Sequence, residues 1–219
     1  MISHSDTEYI ETKHVKLGNI QIPEHLREVS DKFEERFNIK PLNIYFDHLK
    51  HSNNRPRLQI IFEKYSEQKQ FMGNGLFPNS VKQNEVIQML AGIERFSKID
   101  SIDKTLILFK SFEPIAKQEA NNLIPQQEID ELLTKIDNPE LWLIRRSFST
   151  ATFFFYTKKQ VETARQTILN ELTDKYFELI KHYDEFNLLE RTEFAVDLDD
   201  KETFDTVYQS NWFYYAKDH

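Results

Sequence analysis

The chain has 219 residues, 39% apolar and 29% charged, and its 18 Phe, 9 Tyr and 2 Trp exclude intrinsic disorder. Thirty-six acids against 28 bases give a formal charge of -8, which works against non-specific nucleic-acid binding. The absence of Cys excludes disulfides, thiol catalysis and Cys-based metal or iron–sulfur sites, and four Gly leave few phosphate-cradling loops. The length permits one large domain or two small ones. Met1-Ile2-Ser3-His4-Ser5-Asp6 lacks a basic start followed by an apolar region, and no apolar run reaches the ~20 residues that span a bilayer. The expectation is a cytoplasmic protein without a membrane partner. The Lys, Asn, Ile and Phe bias suggests an AT-rich, bacterial genome.

Residues 1–22 read as an arm or a first strand. Pro23 opens a helix with Leu26, Val29, Phe33 and Phe37 at helical spacing, ending near Asn38. Leu42 to His48 and Arg57 to Glu63 alternate apolar and polar residues, as strands of an antiparallel hairpin do. A loop with Gly73 and Gly75 leads to a capping-box pattern at Ser80-Val81-Lys82-Gln83. The helix that follows carries Val86, Ile87, Leu90, Ile93 and Phe96 on one face. Leu106 to Phe109 is apolar on both faces, which predicts a central strand. A helical zone begins near Pro114 and restarts at Pro125 with Ile129, Leu132, Leu133 and Ile136.

The second half opens at Pro139. Leu141 to Arg146 and Thr152 to Thr157 read as a hairpin with Ser149 and Thr150 near the turn. Thr157-Lys158-Lys159-Gln160 is a further capping box. It opens one long helix with Val161, Ala164, Ile168, Leu172, Leu179 and Tyr183 on a stripe. Phe194 to Leu198 reads as a strand and Asp199 to Glu202 as a third capping box before Phe204, Val207 and Tyr208. Asn211 to Ala216 reads as a last strand. The fold class is therefore α+β, mostly antiparallel sheet with helices packed on one face. The order suggests two similar ββαβα units, 1–138 and 139–219. One continuous domain over 1–219 is the alternative.

From Asp184 to His219 there are ten acids and three bases, Arg191, Lys201 and Lys217. That asymmetry suits a docking face for a basic protein, or a solvated edge that includes a helix cap. Asp199, Asp200, Asp205, Tyr208 and Trp212 are the candidate contact residues. Asp197, Asp199 and Asp200 could hold Mg²⁺ or Ca²⁺ through oxygen, but Asp199 as N-cap with Glu202 at N3 explains the cluster without a metal. No metal ligand set or cofactor is assigned.

Arg145 and Arg146 lie in an apolar strand, so one should face the core or a cleft and require a carboxylate or bound anion. They are the candidate ligand-binding residues, unless both lie at a fraying strand end with their heads in water. His48, His51, Arg55 and Arg57 suggest a small anion site, a His pair on a metal, or a solvated basic loop. No zinc, dinucleotide, P-loop, nucleophile-elbow or catalytic-triad spacing is found. Catalytic residues are unassigned and the partner and oligomeric state are open. The leading expectation is a non-catalytic interaction or regulatory protein, such as an immunity protein, with an acidic C-terminal contact face. A metal-dependent hydrolase using C-terminal carboxylates and a binder of a small anionic ligand are the alternatives.

Overall fold

Two three-stranded sheets organise this chain, each around a largely buried central strand. The computed structural model describes residues 4–74 and 77–218. Met1 to Ser3, Gly75, Leu76 and His219 lie outside the described residues. The chain forms two compact units, Met1–Ile115 and Ala116–His219.

In the first unit, α1 (Thr7–Lys16) and α2 (Glu24–Phe37) precede the hairpin of β1 (Asn43–Leu49) and β2 (Arg55–Phe62). α3 (Tyr65–Lys69), α4 (Ser80–Ala91), α5 (Glu94–Ser97) and a 3-10 turn at Ile102–Lys104 lead to β3 (Leu106–Ser111). β2 is central. It runs antiparallel to β1, with Ile60 opposite Ile44, and parallel to β3, with Ile60 opposite Phe109. The chain is α+β as expected, and the sheet is mixed rather than purely antiparallel. Leu106 to Phe109, read as a central strand, lies at the edge. Its exposed carbonyls are covered by side chains: Gln83 donates to Ile107 O and Gln68 to Phe109 O, each at 2.9 Å.

Leu26, Val29 and Phe33 of α2 and Val86 and Leu90 of α4 pack on the sheet face carrying Ile44, Leu58, Ile60, Phe62, Ile107 and Phe109. Period-2 alternation turns Asn43, Tyr45 and Gln59 to the other face. There α1, not a strand or an arm, lies across them. Asn43 donates to Thr12 at 3.1 Å, Gln59 to Glu8 at 3.1 Å and the Tyr45 hydroxyl to Glu11 at 2.7 Å. The helices thus cover both faces of the sheet, and the second seam is polar.

α6 (Glu113–Leu123) carries the chain into the second unit. That unit continues with α7 (Gln126–Ile136), β4 (Leu141–Ser147), β5 (Thr150–Phe155), α8 (Lys158–Thr167), α9 (Leu169–Lys181), β6 (Asp197–Asp200), α10 (Lys201–Thr206) and α11 (Trp212–Asp218). The topology repeats: β5 is central, antiparallel to β4 and parallel to β6. Ile124, Ile129 and Leu132 share a core with Ile144, Phe153, Phe155, Leu172, Tyr176 and Ile180. Because α7 packs against β4, the units divide between Ile115 and Ala116, ahead of the junction read near Asp137-Asn138-Pro139.

The stripe from Val161 to Tyr183 spans two helices, interrupted at Ile168 (φ -127, ψ 2), rather than one. The Thr157 capping box is formed. The buried amide of Asn121 on α6 ties the unit together. It donates to Phe148 O at 2.9 Å and Thr150 O at 2.7 Å, and accepts from the Tyr176 hydroxyl at 2.7 Å.

Candidate functional site: the outer face of the second sheet

The β4–β5–β6 register sets two rows across one face. Arg145, Thr152 and Asp197 stand side by side, and Leu143, Phe154 and Asp199 form the next row. The neighbouring Arg146 turns to the opposite, core face. Its guanidinium donates to Ile124 O and, at 3.3 Å, to Asn122 O. A cation thus satisfies the terminal carbonyls of α6. The two arginines separate as alternation requires, but neither has a carboxylate partner among the described residues.

The segment Asn211 to Ala216, read as a strand, is helical. Asn211 Oδ1 accepts the Phe213 N–H at 2.8 Å, capping the turn that opens α11. Trp212 and Tyr215 then point inward, three residues apart on one helical face. Trp212 stacks on Phe204 at 4.0 Å and lies 5.4 Å from Phe154, and Tyr215 lies 5.4 Å from Phe154. This packing makes α10 and α11 a second layer over the outer face, joined by Trp142 and Tyr208. The Arg145 guanidinium lies 4.1 Å from the Trp212 ring and 5.9 Å from that of Tyr215.

The acids of this region divide into two sets. Asp200, not Asp199, is the N-cap of α10. It accepts from Thr203 N at 2.6 Å and Thr203 Oγ1 at 3.0 Å and is only 5% exposed. Asp199 accepts from the Tyr215 hydroxyl at 2.6 Å. Burial first, and then Asp199, push the Tyr215 phenol far above its usual range. Asp205 pairs with Lys201 and accepts from Ser210, and these contacts hold its carboxyl below the ordinary value. Asp184 is buried, accepting from Leu188 N at 3.0 Å and Leu189 N at 2.9 Å. Glu185, Glu190, Glu193, Asp197, Glu202 and Asp218 face solvent.

Of the residues singled out as contacts, Trp212 is an internal stacking element and Asp200 an internal cap. Tyr208 meets the Tyr215 ring edge-on at 5.2 Å. The groups presented outward are others: Phe213 is 65% exposed, Tyr214 47% and Val207 62%. The signal that distinguishes them is the Asn cap, which sets the helical phase of the aromatic run.

A crevice of about 560 Å³ opens beside this layer, lined by Arg145, Thr152, Asp197, Asp199, Tyr215 and Phe148 among others. Arg146 lines it as well, so two arginines and two aspartates share it. Among the described residues no group of three or more His, Asp or Glu is placed to hold a metal ion. Among the described residues no helix is long and apolar enough to cross a membrane. A scan against protein-family models, a search of curated proteins and a search of solved structures found no match to this chain.

Proposed function

We propose that this chain is a non-catalytic binding protein that recognises a basic protein partner through the α10–α11 layer of its second unit, as a regulator or an immunity protein does. The observation that carries the reading is the outward pair Phe213 and Tyr214, with ring centroids 5.9 Å apart, on a segment rich in solvent-facing acids. Exposed aromatics on a rigid platform supply contact area at low entropic cost, and surrounding carboxylates favour encounter with a positive surface. Arg191 is engaged by Asp174 and Lys201 by Asp205, and the Lys217 ammonium lies 4.8 Å from the centre of the Phe213 ring. The negative surplus therefore faces outward.

Under this reading Asp199, Asp200 and Trp212 build the platform, while Phe213, Tyr214 and Glu202 meet the partner. The crevice beside Arg145 supports the small-anion alternative less well, because Asp197 and Asp199 line it too. The metal-dependent hydrolase reading is weakened by the engagement of Asp199 with Tyr215 and of Asp200 with Thr203. The test is cross-linking from a photoreactive residue at position 213 in the native cell, followed by affinity measurement on the purified pair. A basic partner whose binding weakens at least tenfold on Phe213→Ser with Tyr214→Ser supports the proposal. Full affinity in that double variant refutes it.

A further inference from the structure

A groove of the first unit, about 770 Å³, lies between the β1–β2 turn and the segment that leads into β3. We propose that it binds a phosphate-bearing small molecule of nucleotide or sugar-phosphate size, with Arg55 and Lys104 as the anion-holding groups.

The turn is built tightly. Asn53 and Asn54 both take positive φ, 51 and 54, and Arg55 N donates to Ser52 O at 3.0 Å. These two residues form the left-handed turn that closes the five-residue loop between Leu49 and Arg55, a conformation that asparagine tolerates. It fixes where Arg55 enters β2. The parallel register then sets Lys104 beside Arg55, since Arg57 lies opposite Leu106 two residues on. Arg55 Nε donates to Lys104 O at 2.7 Å, which orients the guanidinium and leaves its terminal nitrogens for a ligand.

The charges are not neutralised from within. Among the described residues the terminal nitrogens of Arg55, the Lys104 ammonium and the His48 ring nitrogens have no hydrogen-bond or ion-pair partner. The nearby carboxylate on β1, Asp47, is bound by both arms of Arg57. Asp100 is the one acid lining the groove. In a chain of formal charge -8, the lining of this groove is thus net positive. Residues 48–57 carry Lys50, Arg55, Arg57 and two His with no acid.

The pairing suits a phosphate: a planar fork that can engage two oxygens, and a compact ammonium for a third. The volume falls within the range of small-molecule sites and far exceeds a bare anion. Pro56 and Ile99 give part of the lining an apolar surface for the organic portion. The Asn53, Asn54 and Ser101 side chains supply neutral hydrogen-bonding groups. The site is independent of the partner-binding face proposed above.

Isothermal titration of the full chain with AMP, ribose 5-phosphate, inorganic phosphate and adenosine, at matched ionic strength, tests it. Saturable binding of a phosphorylated probe at least tenfold tighter than inorganic phosphate or adenosine is expected. Lys104→Gln, which removes no internal contact, should weaken that binding at least fivefold, and Arg55→Gln should do so further. Lys98→Gln, at an exposed pair with Glu94, should leave it unchanged. Amide resonances of Asn53, Asn54 and Ser101 should shift on binding. No saturable binding at millimolar probe, equal affinity for inorganic phosphate, or an unaltered affinity in Lys104→Gln would each overturn the proposal.

Discussion

The guanidinium of Arg145 lies 4.1 Å from the ring of Trp212, on the opposite sheet face from Arg146. Burial lowers its pKa from the ordinary guanidinium value, though the group remains charged at neutral pH. A cation held against an indole joins β4 to α11, so the sheet and the helical layer should unfold together.

Trp212→Ala should therefore cost about 2–4 kcal/mol, since the ring stacks on Phe204 and meets Phe154. Arg145→Ala should cost about 1 kcal/mol. Urea titrations of both single variants and the double variant should give a coupling energy of about 0.5–1 kcal/mol. Strict additivity would contradict direct stacking.

Asn121 offers a sharper test of the second core. Its amide has three hydrogen-bond partners and is buried, so Asn121→Leu leaves Phe148 O, Thr150 O and the Tyr176 hydroxyl without their mate. A loss of about 3 kcal/mol is expected by denaturant titration. A loss below 1 kcal/mol would show that the hairpin turn is held otherwise.

Alkaline pH should unfold the chain. The Tyr215, Tyr176 and Tyr45 phenols are all pushed above the ordinary value of 10, mainly by burial. A raised folded value favours the neutral ring. The associated stability is fully present below the unfolded value near 10 and is lost as pH rises through the higher folded values. Phenolate absorbance should show a late step coincident with loss of circular dichroism. Tyr215→Phe should reduce that step; smooth titration of all nine Tyr near pH 10 would contradict it.

At the acid end, burial raises the Asp184 carboxyl, but bonds from Lys181, Leu189 N and Leu188 N outweigh it and leave a net lowering. A depressed folded value gives stability that is present above the unfolded value near 3.9 and lost as pH falls through the folded one. The pH dependence of unfolding below about 4 should flatten in Asp184→Asn. An unchanged acid limb would rule out this carboxylate as a contributor.

Local patterns made much of this architecture legible. Phe153-Phe154-Phe155 and the Leu26–Phe33 spacing announced a buried strand and a core-facing helix, and Thr157 announced its cap. What failed was long-range. The β2–β3 and β5–β6 pairings are parallel and join residues dozens of positions apart, which a hairpin pattern does not encode. Leu106 to Phe109 looks central because its second face and edge are covered by distant helices. Trp212-Phe213-Tyr214-Tyr215 has strand propensity, and packing on Phe204 and Phe154 overrides it. That error also hid which aromatics face outward. The split of Arg145 and Arg146 followed from alternation alone, whereas the carbonyl partners of Arg146 required the fold.

In the function proposed above, the second unit presents Phe213 and Tyr214 to a basic protein. The direct measurement is the affinity for the cross-linked partner of the wild-type chain and of Phe213→Ser/Tyr214→Ser, at matched thermal stability and at two salt concentrations. At least a tenfold loss is expected in the variant, and weaker wild-type association at higher salt. Salt-independent binding with the variant at full affinity would contradict that function.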